Sequence, residues 1–427
     1  MLKRKNSSAV PMWQMLPALV GLGGNPWVTA FRHFATHLRH GKLTVELPDG
    51  QVLGFTGTAN GQIASFEELD ELHAVLRIRD ANAIRSLFTR GDIGFAEAYM
   101  DGQWDSPDLT RLIRLAAANQ QDLAPREMGF SVIRMANRIG HLARRNSKRN
   151  SKRNIAYHYD LGNDFYEAWL DPSMTYSSAL FEGETANAGL EAAQEAKYRL
   201  VAEQAGLKPG MTVLEIGCGW GGFAEIAARD YGCNVVGVTL SKEQLAFAKA
   251  RMERLGLADK VDLRLCDYRD MTGSFDAIAS IEMFEAVGEE HWPIYFRKVQ
   301  ELLKPGGAAA LQVISIDAKR FDHYRSRCDF IQKYIFPGGM LPSVPVFCDR
   351  AGEAGLEVTD SHMFTASYAE TLKRWQRSFQ HAWPEIEQST GFDLRFKRMW
   401  EYYLSYCEAG FAEKTIDVGV HRLVRTA

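Results

Sequence analysis

Val213-Leu214-Glu215-Ile216-Gly217-Cys218-Gly219-Trp220-Gly221-Gly222 reads as a hydrophobic strand that runs into glycines and opens a helix. Glycine lets the backbone turn tightly there and admits a ligand with no Cβ in the way. Taken alone, Gly217, Gly219 and Gly222 satisfy the GxGxxG pattern, so a nicotinamide or flavin enzyme has to be weighed against other nucleotide-cofactor readings. The surroundings of the motif decide between them.

Strands and helices alternate outward from it. Strands are expected at Thr212–Ile216, Asn234–Val238, Val261–Leu265, Phe275–Ser280 and Ala308–Ile314, with helices at Gly221–Tyr231, Lys242–Leu255 and Pro293–Leu303. This order predicts a doubly wound, mainly parallel sheet that binds ligands at the carboxyl ends of its strands. The aromatic-rich remainder is expected to be mostly helical. Upstream, Leu43–Leu47 and Gln51–Phe55 flank Pro48-Asp49-Gly50 as a hairpin, and Leu72–Ile78 alternates as a strand with a helical stretch after it. Gly91–Trp104 reads as the packing core of a small domain. The expected organisation is a small α+β domain over 1–140, a basic linker over 141–154 and the α/β domain over 155–427.

A net charge of −3 on 427 residues, 46% of them hydrophobic, argues against a nucleic-acid enzyme. The six cysteines fall singly, with no pairing or metal-ligand spacing, so neither a disulfide framework nor a metal site is indicated and a reducing compartment fits. Pro17, Gly21, Gly23, Gly24 and Pro26 interrupt the apolar stretch from Met12 to Phe31, against a secretory signal. No run approaches the ~18 apolar residues a membrane span needs. Arg144–Asn154 repeats Asn-Ser-Lys-Arg; its six cations read as a solvated connector or as contacts to anionic head groups, at ~1 kcal/mol each near a charged membrane.

Glu215 before the first glycine, the Asp267-Tyr268-Arg269 turn after the third strand, and Leu303-Lys304-Pro305-Gly306-Gly307 before a later one favour S-adenosylmethionine. Together they resemble the class I methyltransferase fold, a Rossmann-like sheet. That resemblance implies that the glycine loop faces the methionyl part of the cofactor, the second strand end its ribose, and Asp267 and Tyr268 its adenine. The second strand ends Val238-Thr239-Leu240-Ser241 without a carboxylate for the ribose, which makes Gln244 the substitute.

A more specific likeness lies in Ile155-Ala156-Tyr157-His158-Tyr159-Asp160-Leu161-Gly162-Asn163-Asp164-Phe165-Tyr166, the segment Leu170–Ala179, GCGWGG, GVTLSKEQ, MFEAVG and Lys333–Ser343. These resemble the cyclopropane-fatty-acyl-phospholipid synthases and mycolic-acid methyltransferases, and the small N-terminal domain resembles that of the phospholipid-acting branch. The resemblance implies S-adenosylmethionine-dependent alkylation of the cis double bond of unsaturated phospholipid acyl chains. It also implies that Tyr176, Ser177, Gly217, Gly219, Thr239 and Gln244 line the cofactor pocket. A bicarbonate ion would act as general base, held near a Cys, a Glu, a His, a backbone amide and a Tyr. The corresponding positions here are Ser178, Glu285, Gln312, Ile314 and Tyr368, so two holders differ. A serine hydroxyl and a glutamine amide can still donate to an anion, but Gln312 has no proton to exchange near neutral pH.

An alkene is a poor nucleophile, so attack on a sulfonium methyl needs alignment in a dry pocket and electron density near the resulting carbocation. How the charge is then discharged decides between a cyclopropane, placed first, and a methylene or methyl-branched chain, for which a partner reductase would be needed. The expected setting is the inner face of the cytoplasmic membrane, reached peripherally. The family resemblance suits a homodimer, with the N-terminal domain serving lipid, membrane or dimer contacts. Tyr324, Tyr334 and Phe336 are expected along an acyl tunnel, and Lys333 near a lipid phosphate. Two rival readings remain: an O- or N-methyltransferase of small molecules, and a non-catalytic lipid-binding protein in which Ser178 and Gln312 mark a decayed site.

Overall fold

The computed structural model describes residues 25–58, 71–120 and 161–426. The basic repeat, His158 and Tyr159 lie outside the described residues. Two compact units result, one of residues 1–136 with Leu394–Tyr402, the other of residues 137–393 with Tyr403–Ala427. The expected 155–427 domain thus lends Leu394–Tyr402 to the first unit.

In the first unit, β1 (Lys42–Glu46) pairs antiparallel with β2 (Val52–Thr56) and parallel with β3 (His73–Ile78), and β4 (Trp104–Asp105) closes the sheet against β3. Gly50, at φ 84°, makes the hairpin turn that the Pro-Asp-Gly sequence predicts. The helix Asn82–Met100 breaks its regular backbone at Gly91, φ 67°, so Gly91–Trp104 is the second half of that helix and its exit into β4. Trp104 is fully buried, stacked on Phe95 at 4.2 Å, and Arg398 donates to the carbonyls of Tyr99 and Trp104.

The second unit is built on a seven-stranded sheet. Its strands are β5 (Thr212–Ile216), β6 (Asn234–Thr239), β7 (Val261–Leu265), β8 (Phe275–Ile281), β9 (Leu303–Ile316), β10 (Leu356–Met363) and β11 (Ile416–Arg425), in the order β10-β11-β9-β8-β5-β6-β7. The run from β7 to β9 is parallel; β11 and β10 add on antiparallel. The C-terminal remainder is mostly helical, as expected, and besides the helices Thr365–Thr390 and Leu394–Ala412 it also supplies these last two strands, which the sequence reading passed over. The helices Gly222–Arg229, Lys242–Arg254 and Trp292–Leu302 cover the sheet.

Leu214, Ile216, Ile278, Ala309, Leu311 and Val313 fill the core against Tyr295, Phe296 and Val299 of the helix Trp292–Leu302. These strands are buried on both faces, which is why they read as unbroken hydrophobic runs. Chain order reverses at β5, between β6 and β8. A crevice outside the carboxyl ends of adjacent strands follows from that reversal, and the site lies there.

Candidate active site

An open cleft is lined by Tyr176, Ser177, Glu215, Gly217, Gly219, Thr239, Gln244, Asp267, Tyr268 and Glu282 among others. All nine residues expected to bind the cofactor therefore border one space. Gly217 has φ 87°, and a Cβ there would stand 2.9 Å from Met283 Cγ; at Gly219, φ 49°, a Cβ would meet nothing within 4 Å. The loop is thus packed on one side and open on the other. Asn163, from the motif before the sheet, accepts from Trp220 Nε1 at 2.8 Å and steadies the loop from behind.

Glu215 is 3% exposed, and its Oε2 has no hydrogen-bond partner among the described residues. Burial pushes its pKa up to about 8, against the pull of Lys197 and Arg251. Thr239 donates to Gln244 Oε1 at 2.9 Å, which leaves the Gln244 amide nitrogen to donate elsewhere. Asp267 is engaged by Arg269 through a backbone amide at 3.0 Å and a guanidinium at 2.6 Å. The Tyr268 ring packs edge-on against Tyr295. An unsatisfied buried carboxylate oxygen, an open glycine loop and a free amide donor fit the ammonium, methionyl chain and ribose of S-adenosylmethionine.

The five residues expected around one anion fall into two groups. Glu285 accepts from the Ile314 amide at 2.5 Å, its other oxygen buried without a partner among the described residues, and it does not border the cleft. The remaining three meet at Glu282, a residue the sequence reading passed over. Glu282 Oε1 accepts from the Ser178 amide at 2.8 Å and from Gln312 Nε2 at 2.7 Å, and Oε2 accepts from the Tyr368 hydroxyl at 2.6 Å. Ser178 thus contributes its backbone N–H, while its hydroxyl turns to the Ala179 carbonyl at 2.9 Å.

Glu282 sits just past the end of β8 with φ 49°, a left-handed conformation that L side chains enter at a cost of roughly 1–2 kcal/mol. Strained non-glycine backbone of this kind clusters at functional sites. The strain is held by the Glu282 amide, which donates to the Gln312 carbonyl at 2.9 Å. Desolvation raises the Glu282 pKa; Tyr368, Ser178, Lys197 and Gln312 all work to lower it. Glu285 is pushed up to about 8 by burial first and by the neighbouring Glu282 charge second.

Aromatic rings wall the region. Tyr176 packs on Trp375 at 5.3 Å and exchanges a hydrogen bond with Tyr403 at 2.7 Å, while Tyr368 stacks on Phe411 at 4.4 Å. Tyr324, Tyr334 and Phe336 do not border the cleft. The Tyr324 hydroxyl accepts from Gln332 Nε2 and from the Leu341 amide, bracing the loop after the π-helix Ile331–Ile335. Lys333 lies over the Tyr334 ring.

Residues 146–421 match the family of mycolic acid cyclopropane synthetases. The chain belongs to this family. It is 40% identical over 347 residues to the tuberculostearic acid methyltransferase UfaA1 of Mycobacterium tuberculosis, covering 80% of this chain and 81% of that one. It is 38% identical over 349 residues to the Escherichia coli cyclopropane-fatty-acyl-phospholipid synthase, covering 81% and 86%. Among solved structures, the mycolic acid cyclopropane synthase CmaA1 complexed with SAH and CTAB superposes with TM-score 0.59 at 32% identity, over 64% of this chain and 97% of that one. The cyclopropane synthase MmaA2 of M. tuberculosis gives 0.60 at 31%, over 64% and 98%. The protein is accordingly an S-adenosylmethionine-dependent methyltransferase of the cyclopropane synthase family that acts on lipids.

Proposed function

We propose that the enzyme methylates a carbon of the cis double bond in an unsaturated phospholipid acyl chain, with the Glu282 carboxylate in the place that the family resemblance gives to bicarbonate. The convergence of Ser178, Gln312 and Tyr368 on Glu282 carries this reading. Bound S-adenosylmethionine supplies the methyl group on a sulfonium, an electrophile that needs no further activation.

The chain's residues supply placement, charge and a base. Glu282 borders the same cleft as Gly217 and Glu215, and its charge is assigned to the reacting carbons. When the methyl carbon bonds to one alkene carbon, the positive charge falls on the other. Transfer of a methyl proton to Glu282 as the methyl carbon bonds to that cationic carbon gives a cyclopropane. If the hydrogen on the methyl-bearing carbon first moves to its neighbour as hydride, the charge comes to the methyl-bearing carbon, and loss of a methyl proton to Glu282 leaves a methylene branch on the chain. Glu282 ends protonated in both cases and returns its proton to solvent.

We place the methylene product first. The departures from the ring-forming pattern, at Ser178 and Gln312, both fall on the seat of the base, the component that governs how the cation is discharged. The likeness to a tuberculostearic acid methyltransferase supports the same reading, and a methyl branch would then require a hydride-donating partner. The ring is the second reading, supported by the likeness to the E. coli synthase. Among the described residues no helix is long and apolar enough to cross a membrane. Access to lipid is assigned to peripheral contact, with the N-terminal unit serving membrane or dimer contacts.

The test is expression in a bacterium that makes cis-monounsaturated phospholipids and has no cyclopropane synthase of its own. Ring and methylene each add CH2, so mass alone does not separate them. Ozonolysis of the fatty acid methyl esters cleaves the methylene and spares the ring. An unmodified fatty acid profile from folded enzyme, with transfer to a soluble amine or alcohol or with none at all, would overturn the lipid reading.

A further inference from the structure

We propose that Lys197 is a positioning residue whose buried ammonium, tied to Ser177, holds the Ser177-Ser178 segment and keeps the Glu282 carboxylate ionised for proton abstraction. The proposal rests on Glu282 being the base.

Lys197 is 0% exposed on the helix Leu190–Ala205, on the same face as the fully buried Ala193 and Val201. A methionine or leucine would fill that space without the heavy cost of desolvating a charge. The ammonium donates to Ser177 Oγ at 2.5 Å and stands 4.0 Å from the centre of the Tyr198 ring. One turn earlier, Gln194 donates to the Ser177 carbonyl at 2.8 Å. Two side chains of one helix thus pin Ser177, and the next amide, that of Ser178, is the one that holds Glu282.

Charge makes the second connection. The carboxylates facing the ammonium are Glu282, Asp171 and Glu215, in falling order of influence. Asp171 is occupied by the amide and hydroxyl of Ser173, and Glu215 is shared with Arg251. The other titratable groups that interact with Glu282 are the phenol of Tyr368, the raised carboxyl of Glu285 and the raised thiol of Cys407, none of which brings a cation. Among the described residues, Lys197 is therefore the cation that lowers the Glu282 pKa. Burial pulls its own pKa below the usual lysine range, against the opposing pull of Glu282.

The signs are opposite on the two limbs of the rate profile. Removing the cation raises the Glu282 pKa, so in Lys197→Met the acid limb of kcat moves to higher pH, by about one unit for one lost opposite charge. Loss of the proton from Lys197 weakens its charge-assisted hydrogen bond to Ser177 Oγ and so loosens the segment that seats Glu282, which should lower wild-type kcat on the alkaline side. Lys197→Arg, which stays charged, should retain the acid limb and push the alkaline limb up by at least about one unit.

The profiles are measured with mixed vesicles containing cis-monounsaturated phosphatidylglycerol, beside thermal melts of each variant. A uniform fall in kcat in folded Lys197→Met, with both limbs unmoved, would mean a structural role only and overturn the proposal. If that variant does not fold, Lys197→Arg decides, and an alkaline limb identical to wild type overturns it. If neither folds, a wild-type kcat that stays flat on the alkaline side does so. Full activity in Glu282→Gln would instead sink the reading on which this one rests, whereas an inactive Glu282→Gln with unmoved Lys197 profiles sinks only the present proposal.

Discussion

The hydroxyl of Tyr368 donates to Oε2 of Glu282 at 2.6 Å, although the two residues are 86 positions apart, one on the helix Thr365–Thr390 and the other past the end of β8. The phenol stabilises the carboxylate without giving up its proton, because burial raises the Tyr368 pKa well above its ordinary value. The pair therefore has a fixed polarity, with Tyr368 as donor and Glu282 as acceptor.

Glu282→Gln keeps the shape and removes the base. Its kcat on unsaturated phospholipid vesicles is expected to fall ~10²–10⁴-fold. Affinity for S-adenosylmethionine, measured by calorimetry, should stay within a few-fold of wild type. Tyr368→Phe should lose less, about tenfold, and move the acid limb of kcat to higher pH, since the carboxylate loses a hydrogen bond that lowers its pKa. An unchanged kcat in folded Glu282→Gln contradicts the assignment.

Glu282→Gly relieves the left-handed backbone and empties the seat while the Ser178 amide, Gln312 and Tyr368 remain. Activity of this variant should be low in degassed buffer and should rise saturably, about tenfold or more, with added bicarbonate or formate. Wild type should show no such response. A folded, cofactor-binding variant that no small carboxylate revives would show that the donors do not form an anion seat by themselves.

Glu285 gives a stability test. Its folded-state pKa, about 8, lies above the ordinary 4.5, so its contribution is complete below pH 4.5 and is lost as pH rises through 8. Glu285→Gln has no proton to lose. The melting temperature of wild type relative to this variant should therefore fall between about pH 5 and about pH 8, on the order of 5 °C in total. Parallel curves would place the group at its ordinary pKa.

Much of the catalytic sheet was legible in the chain, because parallel strands buried on both faces carry uninterrupted apolar runs between helices. β10 escaped because Leu356–Met363 is an edge strand with one buried residue, Leu356, and polar residues at Glu357, Thr359, Asp360, Ser361 and His362. β11 escaped because Ile416–Arg425 follows two long aromatic helices and finds its partner, β9, about a hundred residues back. The cofactor residues were visible as local motifs. The seat of the base was not, because its donors come from 104, 30 and 86 positions away and meet only through folding. A carboxylate directly after the strand Phe275–Ile281, at the edge where ligands bind, was the available signal for Glu282. For Lys197 it was the four-residue spacing with Ala193, Val201 and Ala205, which places a lysine on a buried stripe.

The left-handed turn at Glu282 has a consequence for the living cell. A dissolved anion reaches a pocket only as often as its ambient concentration allows, whereas a group carried on the backbone is present at an effective molarity no solute attains. With its base fastened in this way, the enzyme would run at the same pace in vigorously aerated culture, stripped of dissolved carbon dioxide, as in still water rich in it. Lipid modification would then be uncoupled from respiration and gas exchange.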